Sequence, residues 1–217
     1  MTPLPASFFA RPTLEVATDV LGTLLVHDDP EAGRLVGRVV ETEAYTADDP
    51  SLLGWKATFG PDGRVLPRGR AADLFATPGT AYVYLVYRTH WLLNVVTEPE
   101  GVAGAVLIRA VEPVEGEGAM AERRLAAKRR QDLTNGPGKL TQALGINDRT
   151  FHGTDLTAPP LFFAEDGYEG GPVATSSRIG LTRGIDRPWR FFYEGHPFVS
   201  PGVPSDVRVA RRTHRAR

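Results

Sequence analysis

Two short segments carry side chains whose types and spacing could perform chemistry. Glu41-Thr42-Glu43-Ala44-Tyr45 supplies two carboxylates and an aromatic ring, and Tyr82-Val83-Tyr84-Leu85-Val86-Tyr87 supplies tyrosine rings at strand spacing, seven residues before Asn94. An ionised glutamate is a base that can activate water, and it stabilises positive charge that develops on a sugar ring. If the two segments meet in space, they form a flat-walled slot that holds an acid. Such a slot suits a planar, electron-poor base better than a sugar or a peptide.

The acidic segment is expected to end a β-strand whose side chains alternate between two faces. One face is apolar at its start and acidic at its end, and it consists of Leu35, Val39, Glu41, Glu43 and Tyr45. The other face is expected to point into the core, and it consists of Val36, Val40, Thr42 and Ala44. A solvated strand end would explain the two glutamates as well as a partly buried acid would. Arg109 lies in an apolar run and needs a partner for its charge, so we expect it to pair with the Glu43 region. Such a pair would fit either a catalytic role or a purely structural salt bridge.

The tyrosine segment can be interpreted either as part of the core or as part of a binding site. Tyr82 and Tyr84 share one face of a predicted strand, and stacked tyrosines in strands are common as core or cross-strand pairs. Tyr87 follows at the strand end, before the polar Arg88-Thr89-His90. A large ring at a tip beside positive charge can wedge between base pairs. Tyr87 is therefore a candidate for contact with stacked bases.

The elements that must position these segments indicate a mixed α/β (α+β) domain with a largely antiparallel sheet. Strands are predicted over 21–27, 35–45, 81–87, 91–97, 105–111, 161–164, 176–181 and 190–193. Helices are predicted over 12–21, 115–131 and 137–144, the last with Pro137 near its start and Gly145 at its end. Residues 46–79 form a long loop with one helical turn at Ala71–Phe75. We expect a single domain over residues 1–205 and a basic, flexible tail over residues 206–217.

The composition excludes several kinds of site. Without cysteine the chain cannot form a disulfide or a thiolate zinc site, and its five histidines show no metal-ligand spacing. We therefore expect neither a metal nor a cofactor. No apolar run approaches the roughly 20 residues of a membrane-spanning helix. The first residues lack the features of a secretory signal, so the expected location is the cytoplasm, with no membrane partner.

The charge distribution bears on nucleic-acid binding. The formal net charge of −1 argues mildly against it, because phosphate-binding proteins are often strongly basic. The basic residues are nevertheless concentrated in three segments: Arg64–Arg70, Arg123–Arg130 and Arg208–Arg217. A neutral total can therefore hide a basic face.

Several consecutive motifs resemble the alkyladenine (3-methyladenine) DNA glycosylase family, in order and over nearly the whole chain, from about Phe8 to Ser200. They are Glu41-Thr42-Glu43-Ala44-Tyr45, Tyr82-Val83-Tyr84, Tyr87, Asn94, Leu107-Ile108-Arg109-Ala110-Val111-Glu112-Pro113, Asn135-Gly136-Pro137-Gly138-Lys139-Leu140 and Arg178-Ile179-Gly180. The resemblance implies a monofunctional base-excision enzyme with a curved antiparallel sheet flanked by helices. It would flip alkylated purines of the 3-methyladenine and 7-methylguanine type out of damaged double-stranded DNA and hydrolyse the N-glycosidic bond. We expect a monomer that is associated with the nucleoid through DNA.

The resemblance assigns the chemistry to the two segments. Glu43 would be the general base that activates water against the anomeric carbon, and Arg109 and the backbone carbonyl around Ile179 would hold that water. Tyr45 and Tyr84 would sandwich the flipped base. N-alkylation puts positive charge on a purine, which improves it as a leaving group and favours tyrosine faces by on the order of 0.5–2 kcal/mol. Since no lysine nucleophile is needed, we expect hydrolysis without strand cleavage.

Further contacts follow from the same resemblance. Asn94 would lie in the pocket and reject bases that carry a guanine-like amino group. Tyr87 would fill the vacated stack, while Arg68 and Lys139 would contact phosphates. The helix that starts at Pro137 presents free backbone N–H groups beside Lys139, which suits a phosphate, although a plain helix cap explains the same pattern.

The chain departs from the family at two places. The family has a histidine about eight or nine residues after the stacking tyrosine, where this chain has Leu53 or Gly54, near Trp55. Since that histidine hydrogen-bonds the flipped base, we expect hypoxanthine to be a poor substrate and cationic lesions to be better ones. The family commonly has a glycine after the wedge tyrosine, where this chain has Arg88, which could add a phosphate contact.

Two alternatives remain open at this point. One is a catalytically weak or inactive paralogue that binds distorted DNA without cutting a glycosidic bond. The other is a glycoside hydrolase that uses Glu41 and Glu43 as its two carboxylates, because neighbouring same-face positions of a strand lie about 6.5–7 Å apart.

Overall fold

The acidic segment lies at the end of the 14-residue strand Gly33–Thr46, which pairs with strands on both sides. The computed structural model describes residues 1–52, 58–59, 61, 65–66 and 69–215, with the side chains of residues 1–52, 61 and 72–210. The strands of these residues are β1 (Leu24–Asp29), β2 (Gly33–Thr46), β3 (Thr58–Phe59), β4 (Val65–Leu66), β5 (Ala81–Val86), β6 (His90–Val96), β7 (Gly104–Glu115), β8 (Leu161–Ala164), β9 (Val173–Ser176) and β10 (Arg190–Tyr193).

One curled sheet contains eight of these strands. Its main order is β5-β6-β7-β2-β1-β8, with β10 added to β2 and β9 added to β10, and every pairing is antiparallel. The first half of β2 pairs with β1 and its acidic end pairs with β10, while β7 follows its other edge. β3 and β4 form a separate two-stranded sheet. The expected class is confirmed: a mixed α/β domain with a largely antiparallel sheet.

Helices cover this sheet and complete its core. In the described part of the chain they are α1 (Ala6–Phe9), α2 (Thr13–Asp19), α3 (Glu117–Arg123), α4 (Pro137–Leu144), α5 (Asp148–Phe151) and α6 (Ser205–Arg215), with 3-10 segments at Gly69–Phe75 and Arg130–Leu133. α4 begins at a proline and ends at Gly145, whose φ of 70° is the left-handed cap that the sequence predicts. None of the described helices has the length and apolarity needed to cross a membrane.

Two irregularities in the pairing of β2 with β7 determine which side chains face the site. Val39 is opposite Val111, Glu41 is opposite Ala110, and Thr42 is opposite Ile108. One extra residue is therefore inserted into β2 and, directly afterwards, one extra residue into β7. The inserted residue of β7 is Arg109. Such bulges re-aim side chains and are common beside active sites.

The same bulge corrects the expected faces of β2. Leu35 and Val39 were expected on the face of Glu41, but both lie in the main hydrophobic core together with Val40 and Ala44. The extra residue interrupts the two-residue alternation, so two successive valines point into the core. The acidic face therefore begins only at Glu41.

Two further expectations differ from the structure. The helix expected over 115–131 ends at Arg123, because the backbone leaves the helical region at Arg124, with φ −118° and ψ 48°; the Arg124 guanidinium bonds the carbonyls of Asp132 and Leu133 at 3.3 Å each. The strand expected over 176–181 is Val173–Ser176, after which the backbone turns inward and the Ile179 amide bonds a β2 carboxylate. The tail expected from residue 206 is helical as α6 up to Arg215, and its flexibility stays a prediction.

Candidate active site

Glu43 is a buried carboxylate that faces a cavity. Its side chain is fully buried, and it lines a cavity of about 550 Å³ together with Tyr45, Tyr84 and Arg109. Its Oε2 accepts a 2.7 Å hydrogen bond from the Tyr45 hydroxyl, and its Oε1 accepts one of 2.7 Å from the Ile179 amide. Nη1 of Arg109 lies 3.1 Å from the same Oε1. Three donors therefore orient this carboxylate at the cavity wall.

The contact with Ile179 depends on a turn after β9. Ile179 forms an isolated bridge with Pro204, and Gly180 follows with a φ of 81°, a conformation that favours glycine. The resemblance implies a role for the carbonyl around Ile179, whereas the observed contact with Glu43 is made by the amide N–H. Ile179 nonetheless lines the same cavity as Glu43.

Glu41, two residues earlier, has a different environment. Its Oε1 accepts hydrogen bonds from Nε of Arg109 at 2.8 Å, Nε of Arg190 at 2.7 Å and the Ser200 hydroxyl at 2.8 Å, and its Oε2 accepts the Ser200 amide at 2.6 Å. Burial would raise its pKa, but the charges of Arg109 and Arg190 outweigh this and hold the pKa of Glu41 below its ordinary value. Glu41 is fully buried and does not line the cavity of Glu43. It is therefore poorly placed as a second catalytic carboxylate, which argues against the glycoside hydrolase alternative.

Arg109 joins the two glutamates. Burial opposes its charged form, but the carboxylates of Glu43 and Glu41 raise the pKa of Arg109 above its ordinary value, so it stays a cation. The expected pairing of Arg109 with the Glu43 region is observed, and Glu41 is its second partner. Nε of Arg109 is anchored by Glu41 and its Nη2 lies 3.4 Å from the Ser200 hydroxyl, so Nη1 is the group that is oriented towards Glu43.

The tyrosines form a second, smaller cavity next to Glu43. This cavity has a volume of about 180 Å³, and Tyr45 and Tyr84 line both it and the larger one. Asn94 lines the smaller cavity, is buried, and donates from Nδ2 to the carbonyl of Tyr82 at 3.1 Å. Burial, followed by the Glu43 charge, raises the pKa of the Tyr45 phenol well above its ordinary value. The phenol therefore remains a neutral donor to Glu43.

Comparison with known proteins identifies the family. The model of a family described as "Methylpurine-DNA glycosylase (MPG)" matches residues 7–197. The chain belongs to the methylpurine-DNA glycosylase family. It is accordingly a DNA glycosylase, a hydrolase that cleaves N-glycosyl bonds. The resemblance found in the sequence motifs is confirmed.

Curated relatives match this glycosylase over nearly its whole length. It is 59% identical to a Salinibacter ruber protein over 207 aligned residues. The alignment covers 94% of this chain and 100% of the relative. This chain is 43% identical over 208 residues to a Chlorobium phaeovibrioides protein, with 94% and 100% covered, and 43% identical over 210 residues to a Methanocella arvoryzae protein, with 95% and 100% covered. Each relative bears the name "Putative 3-methyladenine DNA glycosylase".

The Tyr87 ring of this glycosylase is exposed beside the site. Tyr87 is 84% exposed, lies in the turn between β5 and β6, and lines the mouth of the larger cavity. Tyr87 and Arg88 have φ angles of 52° and 61°, and the Thr89 amide closes the turn on the Val86 carbonyl at 3.1 Å. Two successive left-handed residues match the twist of a hairpin, but they are unfavourable for side chains other than glycine, asparagine and aspartate.

The amino end of α4 forms another part of the rim of the larger cavity. Gly136, Pro137, Gly138 and Lys139 all line it, and the helix has no side-chain cap. Lys139 donates from Nζ to Oδ1 of Asn135 at 2.6 Å, and partial burial lowers its pKa. A Cβ on Gly138 would lie 2.8 Å from the His90 ring, so this close approach requires glycine.

The structure brings most of the expected residues to one place and adds others. Around the larger cavity lie Glu43, Arg109, Tyr45, Tyr84, Tyr87, Lys139 and Ile179, and Asn94 lines the adjoining cavity. Arg88 is exposed in the same turn as Tyr87. Arg68, and the Leu53, Gly54 and Trp55 positions of the missing histidine, lie outside the described residues. Sequence reasoning missed Arg124 as a site residue. It belongs to the basic segment Arg123–Arg130 and lines the larger cavity.

Proposed function

We propose that this glycosylase releases alkylated purines of the 3-methyladenine and 7-methylguanine type from double-stranded DNA, with Glu43 as the base that activates water. The observation that supports this most directly is the position of Glu43. Its carboxylate is buried, held by three donors, and open to a cavity whose walls include Tyr45 and Tyr84. A base in a duplex cannot reach such a site, so the nucleotide would have to be flipped, at a cost of a few kcal/mol.

The chemical step uses groups that are present in the cavity. Water would add its oxygen to the anomeric carbon while the bond from that carbon to the purine nitrogen breaks, with its electron pair leaving on the base. The proton of the water passes to Glu43. The anionic carboxylate also stabilises the oxocarbenium-like sugar, and Arg109 orients both the carboxylate and the water. An N-alkylated purine leaves more readily because departure neutralises its positive charge.

The flipped base would stack in the slot between Tyr45 and Tyr84. Asn94 lines the adjoining cavity, where a base edge would enter, and is the candidate for rejecting a guanine-like amino group. Tyr87 would occupy the space that the base leaves in the duplex, since it is exposed at the tip of a hairpin beside the cavity. We expect hypoxanthine to be released poorly, because this chain lacks the histidine that hydrogen-bonds it in the family.

Phosphate contacts would surround the same opening. Lys139 and the uncapped start of α4 line the larger cavity, and Arg124 joins them there. Arg88 lies beside Tyr87, where a cation would reach the backbone of the bound strand. We retain the expectations of a monomer without a metal or cofactor and of a nucleoid-associated protein in the cytoplasm.

The test is release of free base from duplexes that contain a single lesion. The purified protein is incubated with matched duplexes containing 3-methyladenine, 7-methylguanine or hypoxanthine, and the released base and intact abasic strands are measured. We expect release of the two methylated bases, with the strand uncut. Glu43→Gln should reduce release by at least about a thousandfold, as for loss of a general base together with charge stabilisation. Glu165→Gln, which alters an exposed acid, is the control.

Two outcomes would refute the proposal. If the unaltered protein binds distorted duplex without releasing any base, the inactive paralogue is the correct interpretation. If Glu43→Gln releases methylated bases as fast as the unaltered protein, another group activates the water.

A further inference from the structure

A stack of alternating charged and aromatic groups ends at the tyrosine slot. The Arg178 guanidinium carbon lies 4.5 Å from the centroid of the Tyr45 ring and 5.3 Å from that of Trp189. The Arg187 guanidinium carbon lies 4.3 Å from the centroid of the same tryptophan ring. The order along the stack is thus Arg187, Trp189, Arg178 and Tyr45.

Arg178 covers the face of Tyr45 that is turned away from the cavities. Tyr45 lines both cavities, whereas Arg178 lines neither and is fully buried. The guanidinium forms a buried ion pair with Asp49 and donates from Nη1 to the Ala44 carbonyl at 2.8 Å. With these partners the cation remains behind the ring when a ligand enters in front of it.

The two walls of the slot therefore differ in electrostatic character. The outer face of Tyr45 is covered by a cation, while Tyr84 stacks on the neutral ring of Tyr82 with a centroid distance of 5.3 Å. An aromatic face attracts a cation through the negative potential above the ring. A cation already fixed on one face of the ring repels a second cation on the other face. The two charges would be about 8 Å apart, a distance at which the effective dielectric constant of a protein does not screen the repulsion completely.

The partner of Arg178 reduces this effect without cancelling it. The Asp49 carboxylate bonds the Nη atoms at the edge of the guanidinium, whereas the guanidinium itself lies over the Tyr45 ring. Burial and the Glu43 charge raise the pKa of the Tyr45 phenol, and the Arg178 charge acts in the opposite direction. The nearest fixed charge behind the Tyr45 wall is positive.

We propose that Arg178 is a specificity-determining residue of the slot, which weakens the attraction of Tyr45 for cationic bases and so lets neutral bases compete. This inference rests on the proposed function, because it requires a base to stack on the inner face of Tyr45. Tyr45 then contributes mainly stacking, and Glu43 supplies most of the preference for positive charge.

Two variants should move the preference in opposite directions. The measured quantity is the ratio of kcat/KM for a 7-methylguanine duplex to kcat/KM for a hypoxanthine duplex of the same sequence. Asp49→Asn removes the offsetting anion and should lower this ratio, whereas the double variant Asp49→Asn/Arg178→Gln removes the cation as well and should raise it. Each change should be roughly three- to tenfold, the range of one cation–π or screened charge interaction.

A matched control lies one ring further along the stack. Arg187 pairs with Asp48, Nη1 to Oδ2 at 3.0 Å, and covers Trp189 instead of Tyr45. Asp48→Asn/Arg187→Gln removes an ion pair of the same two residue types, in a more exposed position, and should leave the ratio unchanged. If the control shifts the ratio as much as the Asp49 variants do, or if the Asp49 variants leave it unchanged, Arg178 does not set the preference. Thermal melting shows whether the double variant folds, and if it does not, Asp49→Asn alone decides.

A binding measurement separates this inference from the proposed function. Calorimetry with the nucleosides 7-methylguanosine, at a pH where it is cationic, and inosine gives an affinity ratio without any chemistry. If the unaltered protein releases no base, the proposed function fails, but opposite shifts of the nucleoside ratio in the two variants would still support the role of Arg178. A nucleoside ratio that stays constant across the variants, or the absence of binding by both nucleosides, overturns it.

Discussion

The Tyr45 hydroxyl donates a 2.7 Å hydrogen bond to Oε2 of Glu43, two positions earlier on β2. One residue therefore provides both a wall of the slot and a donor to the proposed catalytic carboxylate. The geometry is possible because side chains two apart on a strand share a face. It couples the position of a stacked base to the orientation of the carboxylate that would activate water.

Tyr45→Phe separates these two contributions. The ring remains, so KM for a methylated duplex should change little, while kcat should fall about tenfold or somewhat more, the value of one hydrogen bond to a charged group. Steady-state kinetics on a 7-methylguanine duplex measure both quantities. Tyr193→Phe, on β10 and away from both cavities, should leave kcat unchanged. A rise in KM at constant kcat would show that the hydroxyl acts in binding alone.

Glu41→Gln should destabilise the protein and make its stability less dependent on acid pH. Removing Glu41 leaves the buried charge of Arg190 without its carboxylate and leaves Arg109 with Glu43 alone, which costs about 3–5 kcal/mol. Burial opposes the charge of Glu41, but the two arginines hold its pKa below the ordinary value of 4.5. The stabilisation by the charged form is therefore complete above about pH 4.5 and is lost as the pH falls through the lowered pKa.

Urea unfolding at pH 7 and at successively lower pH measures this effect. The free energy of unfolding of the unaltered protein should fall more steeply below pH 4.5 than that of Glu41→Gln. Glu165→Gln, which lies on the surface, should keep the steep acid dependence. Equal slopes for the unaltered protein and Glu41→Gln would mean that the glutamate is not charged in the folded protein.

Arg88→Gly should stabilise the fold and weaken duplex binding. Arg88 has a φ of 61°, which glycine adopts without the penalty of about 1 kcal/mol that a side chain incurs there. The free energy of unfolding should therefore rise by about that amount, while Arg88→Ala, which keeps a Cβ, should show no such gain. If both variants lose the same duplex affinity, the guanidinium contacts DNA. Equal stability of the glycine and alanine variants would show that the turn relaxes in solution.

Lys139→Gln should reduce the salt dependence of duplex binding. A lysine that contacts one phosphate releases about one counterion, so the slope of log K against log salt concentration should become less steep by about 0.9. Fluorescence anisotropy over a series of salt concentrations measures this slope. Arg34→Gln alters a cation at the far end of β2 from Glu43 and serves as the control. An unchanged slope for Lys139→Gln would remove Lys139 from the phosphate contacts.

The sequence predicted those parts of the candidate site that depend on nearby residues in the chain or on motifs of the family. Glu43 and Tyr45 share a face because their spacing within one strand ensures it, and α4 begins and ends at a proline and a glycine whose backbone preferences determine its limits. The ordered motifs identified the family, and with it the residues that gather around one cavity. These features depend on neighbours in the chain or on the order of motifs.

Only the tertiary structure decided how the charges are shared. Paired insertions in β2 and β7 bring Arg109 between Glu41 and Glu43. The residue pattern does not predict these bulges, because they depend on the register of two strands that are far apart in sequence. Arg178 reaches Asp49 and Tyr45 across more than a hundred residues, through a turn that the sequence suggested was a strand. The residue types were sufficient to indicate the chemistry, whereas burial and long-range pairing determined which carboxylate faces the cavity and which cation lies behind the slot.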